Sequence, residues 1–392
     1  MKYVVIITDG AADVPLAELG GKTPLEAANI PHMDSIAAKG IFGTVQNAPL
    51  SLPCGSDVAI MAVLGYDPET HYSGRAPIEA VASDIAVSET DWVFRCNIVT
   101  IKNNIMLDHS AENIQQDEAV KIIRILNNEL STEKITFYPG VSYRNLMVYH
   151  DDVDIVTTPP HNILDQHIEQ YLPKGKTAPL LNDLISMSQK LLEEHAVNPL
   201  ATSIWFWGEG KKPFLENFYK QYKLRGASIT GVDLVRGLSK LVGWDSINVP
   251  GVTAYFDTNY KGKGEFAVQA LEKYDIVCVH IEAPDEAGHK GDAAEKVRAL
   301  ENIDTHIVGP ILSALGQGTQ PWRILVLPDH PTPCTIRTHT HEPVLFAMLD
   351  NTQNADSSRL QNRYFTEEQA AKTGLHIPQG YTLMSHLVNG TL

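Results

Sequence analysis

Three aspartates stand just after short apolar runs of the chain, where each could bind a metal ion. The runs are YVVIIT (3–8), DIVCVHI (275–281) and RILVLP (323–328), and the aspartates are Asp9, Asp285 and Asp329. Short, continuous, β-branched runs are typical of strands buried on both faces of a parallel sheet. Ligands of open α/β sheets bind beyond the carboxyl ends of the strands. A single aspartate at such an end commonly only caps a turn, but three together predict a binding site.

Ser56 could act as a nucleophile. It follows Gly55 and precedes an apolar stretch with helical spacing. We therefore expect it at or near a helix N-terminus, where free N–H groups and the helix dipole favour an anion. A serine in this place can also be only an N-cap. Its hydroxyl becomes a nucleophile when a base or a metal ion activates it, and the sequence suggests metal ligands rather than a Ser-His-Asp triad.

The segment IEAPDEAGH (281–289) carries an aspartate and a histidine at helical spacing. Asp285 and His289 are four residues apart, so they share one face if the chain turns into a helix after Pro284. This pattern is common by chance, but here it stands just past a predicted buried strand. We therefore expect the pair to bind one ion.

The segment LPDHPTPCTIRTHTHEPV (327–344) adds three histidines. His330 directly follows Asp329 at the end of the last apolar run. His339 and His341 alternate along what we expect to be an extended segment. Alternate residues of a strand share a face, so the spacing leaves open which of the two binds an ion.

Together these residues form a mixed set of nitrogen and oxygen ligands, large enough for two divalent ions. The set consists of Asp9, Ser56, Asp285, His289, Asp329, His330 and one of His339 or His341. Imidazole and carboxylate ligands suit Mn²⁺ or Zn²⁺ better than Ca²⁺. Two such ions can activate an attacking oxygen and stabilise a transferring phosphoryl group. The sequence therefore predicts phosphoryl transfer through Ser56.

Most of the remaining chain alternates between strand and helix, which favours a layered parallel α/β sheet. The further elements expected are helices at 294–315, 233–244 and 214–222 and strands at 203–207 and 226–230. The stretch 78–200 differs, with strands in hairpin-like succession and a helix at 119–130. We therefore expect a sheet domain of 1–77 and 201–392 and an inserted α+β domain of 78–200.

Composition excludes several classes of protein. A net charge of −16 over 392 residues argues against nucleic-acid binding, which needs a basic face. No run approaches the length of a membrane span, and the N-terminus reads as a strand rather than a signal peptide. The four cysteines are far apart without CxxC spacing, which is typical of reduced thiols in a cytoplasmic protein.

A series of motifs runs in order along nearly the whole chain. The motifs are TDGAAD, KTPLEAANIPHMDSIAAKG, GSDVAIMAVLGYDP, YSGRAPIEA, FRCNIVT, IEAPDEAGH, VPGVTAYFDTNYKGK and PDHPTPCTIRTHTHEPV. They resemble those of the archaeal-type, cofactor-independent phosphoglycerate mutases of the alkaline phosphatase superfamily. The resemblance implies an alkaline-phosphatase-like α/β/α domain with an inserted α+β lid. It also implies interconversion of 3- and 2-phosphoglycerate without 2,3-bisphosphoglycerate, and two divalent ions. We expect Mn²⁺, with Zn²⁺, Co²⁺ or Mg²⁺ as alternatives.

The resemblance also implies roles for individual residues. Asp9, Ser56, Asp329 and His330 resemble the ligands of one ion, with Ser56 as the phosphorylated residue. Asp285, His289 and a histidine of the last motif resemble the ligands of the second. That motif reads His, three residues, Pro-Val in the family. Counting back from Pro343 gives His339, and His341 is then an extra residue.

Residues that bind the phosphate and carboxylate of a substrate are also implied, because arginine grips such anions with two parallel hydrogen bonds. The candidates are Arg75, Arg95, Asn97, Arg144 and Arg236, with Asp108 and His109 as weaker ones. The chain departs from the family pattern at DHSAENI (108–114), at Arg236, where relatives often have lysine, and at PVL (343–345). These departures leave the predicted metal ligands unchanged and affect only expected substrate contacts.

Two alternative functions remain at this stage. One is a related metal-dependent phosphotransferase for another small hydroxy compound, such as homoserine in threonine synthesis. The other is a non-catalytic binding protein of the same fold. Such a protein would be expected to lack the nucleophile or a ligand, whereas this chain has them all.

Overall fold

A computed structural model describes residues 1–352 and 363–392. The strands are β1 (Lys2–Thr8), β2 (Ile41–Val45), β3 (Trp92–Lys102), β4 (Ile105–Asp108), β5 (Ile135–Val141), β6 (Arg144–Tyr149), β7 (Ser203–Lys211), β8 (Gly226–Ile229), β9 (Asp245–Ser246), β10 (Ile276–Ile281), β11 (Trp322–Leu327), β12 (Val344–Asp350) and β13 (His376–Ile377). The α-helices are α1 (Pro24–Ala27), α2 (Pro31–Lys39), α3 (Ser56–Val63), α4 (Pro68–His71), α5 (Arg75–Ala82), α6 (Gln116–Leu130), α7 (Ala178–His195), α8 (Phe218–Tyr222), α9 (Asp233–Leu241), α10 (Tyr260–Lys273), α11 (Ala283–Lys290), α12 (Ala293–Ile303), α13 (Gly309–Gln317), α14 (Glu367–Lys372) and α15 (Thr382–Asn389).

The chain folds into two compact units. Unit 1 comprises Met1–Tyr72 and Leu215–Leu392, and unit 2 comprises Ser73–Phe214. Among the described residues, unit 1 has an eight-stranded sheet with the strand order β13-β2-β12-β11-β1-β10-β8-β9. The strands from β11 to β9 are parallel, while β12 is antiparallel to both of its neighbours. The predicted α/β fold class is confirmed.

The centre of this sheet places three strand ends side by side. β1 pairs with β10 on one side and with β11 on the other, both in parallel. Thr8 lies opposite Ile281, and Ile7 lies opposite Leu327. These strands are buried almost throughout, as expected of continuous apolar runs in a parallel sheet. The residues that follow the three strands therefore lie close together, beyond the carboxyl ends of the central strands.

The helix predicted at 294–315 is interrupted. α12 and α13 are joined by a π-helical turn, Asp304–Val308, just before Pro310. Proline has no N–H to donate to the carbonyl four residues back, and a wider turn accommodates this loss. The Asp304 carboxylate accepts hydrogen bonds from the amides of His32 and Met33 at the start of α2.

Unit 2 contains an antiparallel sheet with the order β4-β3-β6-β5, and β7 also pairs with β3. α6 and α7 pack over its apolar side. The run 203–207 was expected in the main sheet but forms part of β7, and α5 packs on β3 and β7. Unit 2 thus begins before and ends after the expected range of 78–200. A continuous apolar run does not reveal which sheet it joins, because both sheets bury such strands.

The helices and the cysteines also bear on the class of protein. None of the helices in the described part of the chain is long and apolar enough to span a membrane. All four cysteines are free thiols, as their spacing predicted.

Candidate active site

Ser56 begins α3, as predicted. Gly55 before it has an extended backbone, and every residue of the helix is buried. The Ser56 side chain is nearly buried, and its Oγ lies 3.2 Å from His330 Nε2. The hydroxyl is therefore held at a helix N-terminus, where developing negative charge is stabilised.

Two carboxylates and a histidine face each other at the ends of β1 and β11; we call Asp9, Asp329 and His330 the first ligand group. His330 Nε2 is 3.6 Å from Asp9 Oδ1 and 3.4 Å from Asp329 Oδ2. Both oxygens are buried without a hydrogen-bond partner. Because unpaired buried carboxylate oxygens are costly, their convergence on an imidazole nitrogen fits a cation site.

Asp285, His289 and His339 form the second ligand group. α11 begins at Ala283, so Asp285 and His289 share a face as predicted, with His289 Nε2 3.2 Å from Asp285 Oδ2. His339 Nε2 lies 2.9 Å from His289 Nε2 and 3.5 Å from Asp285 Oδ1. The rings of His330 and His339 are 4.1 Å apart between centroids, so the two groups are adjacent.

His341 lies outside both groups. Its Nε2 is 3.0 Å from the carbonyl oxygen of Leu52, whereas His339 faces Asp285. The spacing of the two histidines along the chain left open which of them is a ligand, and the family motif implied His339. In the structure His339, and not His341, lies beside Asp285.

His280 and Glu282, which were not predicted from the sequence, form a third possible cation group with Asp9. His280 Nε2 is 2.7 Å from Asp9 Oδ2, and His280 Nδ1 is 3.1 Å from the hydroxyl of Thr230. The buried Lys263 donates to the carbonyl oxygen of His280. His280 stands within the apolar run of β10 and reads as core. The available signal was its alternation with Glu282 just ahead of Asp285.

The electrostatics of the two ligand groups differ. Burial, followed by the charges of Asp329, Glu282 and Asp285, raises the pKa of Asp9 well above its ordinary value. Burial acts in the same direction on Asp285, but hydrogen bonds from His289 and His339 outweigh it and hold its pKa well below the usual range. The first group therefore lacks positive charge, while histidines supply it to the second.

Unit 2 gathers three of the predicted arginines. Glu79 lies between two of them, with its carboxylate oxygens 2.9 Å from Arg75 Nε and 3.2 Å from Arg95 Nε. Burial would raise the pKa of Glu79, but the charges of Arg95 and Arg75 outweigh it and lower the pKa. The Arg95 guanidinium also lies over the Trp207 ring, 4.4 Å from its centroid. Arg144 acts on Glu79 only through its charge and lies beside the Tyr143 ring.

Asn97 belongs to the wall of this cluster. Its side-chain oxygen accepts from Trp207 Nε1 at 3.0 Å, and its nitrogen donates to the carbonyl oxygen of His109 at 3.1 Å. His161 packs edge-on against both Trp207 and His109. Glu79, His161 and Trp207 could not be predicted as members of this cluster, because nothing in their spacing along the sequence relates them to the arginines.

Arg236 lies in unit 1, on α9. Its guanidinium contacts Asp233 Oδ1 at 3.0 Å and the carbonyl oxygen of Thr230 at 3.3 Å. Since the Thr230 hydroxyl contacts His280, Arg236 lies close to the third cation group. Asp108 accepts hydrogen bonds from the amide and hydroxyl of Ser110 within its own turn.

Comparison with known proteins identifies the family. The family model described as 2,3-bisphosphoglycerate-independent phosphoglycerate mutase matches residues 37–198 of the sequence. The phosphoglycerate mutase of that name from Methanosarcina barkeri is 46% identical over 99% of both chains. A probable mutase of the same kind from Geobacter sulfurreducens is 41% identical, over 99% of this chain and 100% of its own. The chain belongs to the 2,3-bisphosphoglycerate-independent phosphoglycerate mutases.

Solved structures agree with this membership. A protein from Pyrococcus horikoshii superposes with a TM-score of 0.82 and 28% identity, covering 99% of this chain and 96% of its own. The cofactor-independent phosphoglycerate mutase from Thermoplasma acidophilum has a TM-score of 0.66 and 25% identity, with both chains covered completely. The fold is therefore found in a solved cofactor-independent phosphoglycerate mutase.

Proposed function

We propose that the protein interconverts 3-phosphoglycerate and 2-phosphoglycerate through a phosphorylated Ser56, without 2,3-bisphosphoglycerate. One observation supports this most strongly. The Ser56 hydroxyl, at the start of a buried helix, adjoins an imidazole nitrogen that in turn faces two unpaired carboxylate oxygens. The relatives named above are mutases, which favours this reaction over transfer to homoserine.

The donor sets fit two divalent ions. Asp9, Asp329 and His330, with Ser56, would hold the first, and Asp285, His289 and His339 the second. When bound, such ions would supply the positive charge that lowers the pKa of a serine hydroxyl and neutralises a phosphoryl group. The mixed nitrogen and oxygen ligands make Mn²⁺ our first choice, with Zn²⁺, Co²⁺ or Mg²⁺ as alternatives.

The proposed reaction conserves the phosphoryl group. Ser56 Oγ loses its proton and forms a bond to phosphorus while the bond from phosphorus to the substrate oxygen breaks, and that oxygen gains a proton. The other hydroxyl of the resulting glycerate then loses its proton and attacks the phosphorus of the phosphoserine, the bond from phosphorus to Oγ breaks, and Ser56 Oγ regains a proton. The helix N-terminus of α3 stabilises negative charge at Ser56 in both steps.

The arginines of unit 2 are proposed to bind the substrate. Arg75 and Arg95 are planar cations already held by one shared carboxylate, so little ordering is needed when an anion binds. Unit 2 is further proposed to exclude water, since water would otherwise hydrolyse the phosphoserine. The four free thiols fit the reducing cytoplasm, which is the compartment we propose.

The test is turnover of 3-phosphoglycerate by the purified protein with Mn²⁺, coupled to enolase. Wild type is expected to be active, to lose activity with a chelator and to regain it with Mn²⁺. Ser56→Ala is expected to be inactive, whereas Ser51→Ala, an exposed serine on the same loop, is expected to match wild type. An inactive wild type, or an active Ser56→Ala, would refute the proposal.

A further inference from the structure

Thr332 lies between the two ligand groups and contacts both. Its side chain is fully buried. Its hydroxyl oxygen is 2.5 Å from Asp285 Oδ1 and 3.3 Å from His330 Nδ1. One hydroxyl therefore joins a residue of the second ligand group to a residue of the first.

The hydrogen atoms of these two contacts have a single consistent arrangement. The Asp285 carboxylate lies beside the imidazoles of His289 and His339, and its oxygens accept hydrogen bonds. Thr332 has one hydroxyl hydrogen and donates it to Asp285, which leaves only lone pairs for His330. His330 Nδ1 must then be the donor. In a neutral imidazole this places the lone pair on Nε2.

Nε2 is the nitrogen of His330 that a metal ion would need. It faces Ser56 Oγ at 3.2 Å, with Asp9 Oδ1 and Asp329 Oδ2 at 3.6 Å and 3.4 Å. The Thr332 hydroxyl, together with a backbone hydrogen bond to Pro331, thus favours the tautomer of His330 in which the free lone pair belongs to the first ligand group. The same hydroxyl fixes Asp285 Oδ1 at the second.

The backbone holds Thr332 in this place. Lys296 Nζ donates to the carbonyl oxygen of Thr332 at 2.8 Å and pairs with Asp13 Oδ2 at 2.8 Å, and both charged side chains are fully buried. A Cβ atom on Gly288 would lie 2.2 Å from the Thr332 carbonyl oxygen, so α11 packs directly against this segment. The hydroxyl is therefore positioned by a rigid, buried frame.

We propose that Thr332 is a positioning residue that couples the two metal sites through one hydroxyl group. It holds His330 with Nε2 available to the first ion and orients Asp285 for the second. The inference rests on the proposed two-metal function and adds a residue that touches neither substrate nor metal. Hydrogen-bond partners behind metal ligands commonly change metal affinity by about 10- to 100-fold.

The test measures binding of Mn²⁺ alone to the metal-free, full-length protein by titration calorimetry. Thr332→Val keeps the shape of the side chain and removes the hydroxyl. It is expected to weaken the binding of both ions, by about 10- to 100-fold. Wild-type affinity for both ions would overturn the proposal, and so would a loss confined to one ion.

Two variants serve as controls. Thr332→Ser keeps the hydroxyl and is expected to bind both ions nearly as wild type does; a loss equal to that of Thr332→Val would overturn the proposal. Thr340 lies on the same segment, and its hydroxyl has no hydrogen-bond partner. Thr340→Val removes this hydroxyl and is expected to match wild type. If Thr332→Val does not fold, Thr332→Ala replaces it and is compared with Thr332→Ser.

A second readout needs no metal. In the ¹⁵N-histidine spectrum of the metal-free protein, the His330 signals are identified by their absence from His330→Gln. A proton on Nδ1 is expected, and a proton on Nε2 would overturn the inference. If wild type binds no Mn²⁺ or lacks mutase activity, the proposed function itself fails. A wild type that binds Mn²⁺ together with an unaffected Thr332→Val refutes only the inference.

Discussion

At the scale of residues, the candidate site depends on which atoms of similar side chains face each other. His339 and His341 are two residues apart, yet only His339 meets Asp285 and His289. His341 instead contacts the carbonyl oxygen of Leu52. The two histidines therefore provide a matched pair for testing the second ligand group.

His339→Ala is expected to lose the second ion and nearly all activity, because it removes one of three ligands. His341→Ala removes one contact to a backbone oxygen and is expected to retain most activity. Bound Mn²⁺ per chain and turnover of 3-phosphoglycerate measure both effects. Equal and severe losses in the two variants would contradict the assignment of His339.

The sequence predicted the residues of both ligand groups but not the polar residues that form hydrogen bonds with them. Asp9, Asp285 and Asp329 could be found because each follows an apolar run, and the alignment of β1, β10 and β11 brings the run ends together. Thr332 and His280 could not be found in this way. A threonine in a loop and a histidine within an apolar strand have no distinctive spacing, and only the three-dimensional contacts give them a role.

At the scale of elements, the first turn of α14 connects distant parts of unit 1. Glu367 accepts from the amide of Asp13 at 3.1 Å and from the hydroxyl of Thr23 at 2.8 Å. It thereby joins the loop after β1 to the N-terminus of α1. Burial raises the pKa of Glu367 from 4.5 to about 7, although Lys296 and these hydrogen bonds act in the opposite direction.

This raised pKa predicts a dependence of stability on pH. Between about pH 4.5 and 7 the folded protein retains a proton on Glu367 that the unfolded chain has lost. The contribution of Glu367 to stability is therefore full below pH 4.5 and is lost as the pH rises to 7. Glu367→Gln removes the titration, so its melting temperature is expected to rise relative to wild type across this range.

Thermal unfolding of both proteins from pH 4.5 to 8 measures the difference. The control is Glu368→Gln, which changes the neighbouring exposed acid of the same helix. Its melting temperature is expected to stay at a constant offset from wild type. A constant offset for Glu367→Gln as well would show that Glu367 is already ionised in the folded protein.

At the scale of the whole molecule, the two units differ in how the chain builds them. Unit 2 is one continuous segment, Ser73–Phe214, with its own buried core. Unit 1 is assembled from two segments, and its central strand β1 lies between β10 and β11 from the far half of the chain. The sequence predicted an insertion from the change in strand pattern, but its limits depend on strand pairing that the pattern does not contain.

A segment with its own core is expected to fold alone. Residues 73–214 expressed separately should unfold cooperatively on heating. The matched control is residues 1–72, which contain β1 without its neighbours and should remain unfolded. Circular dichroism during thermal unfolding distinguishes the two outcomes, and an unfolded 73–214 fragment would show that its sheet needs the rest of the chain.

The position of β1 also affects folding during synthesis. β1 leaves the ribosome long before its partner β10, which begins only at Ile276. At about 5–20 residues per second, the ribosome needs tens of seconds to make the intervening chain. Throughout this time the apolar strand that precedes Asp9 has no partner, while the inserted segment can already fold. The nascent chain is therefore exposed to aggregation at β1, which makes that strand a site where chaperones would be expected to bind.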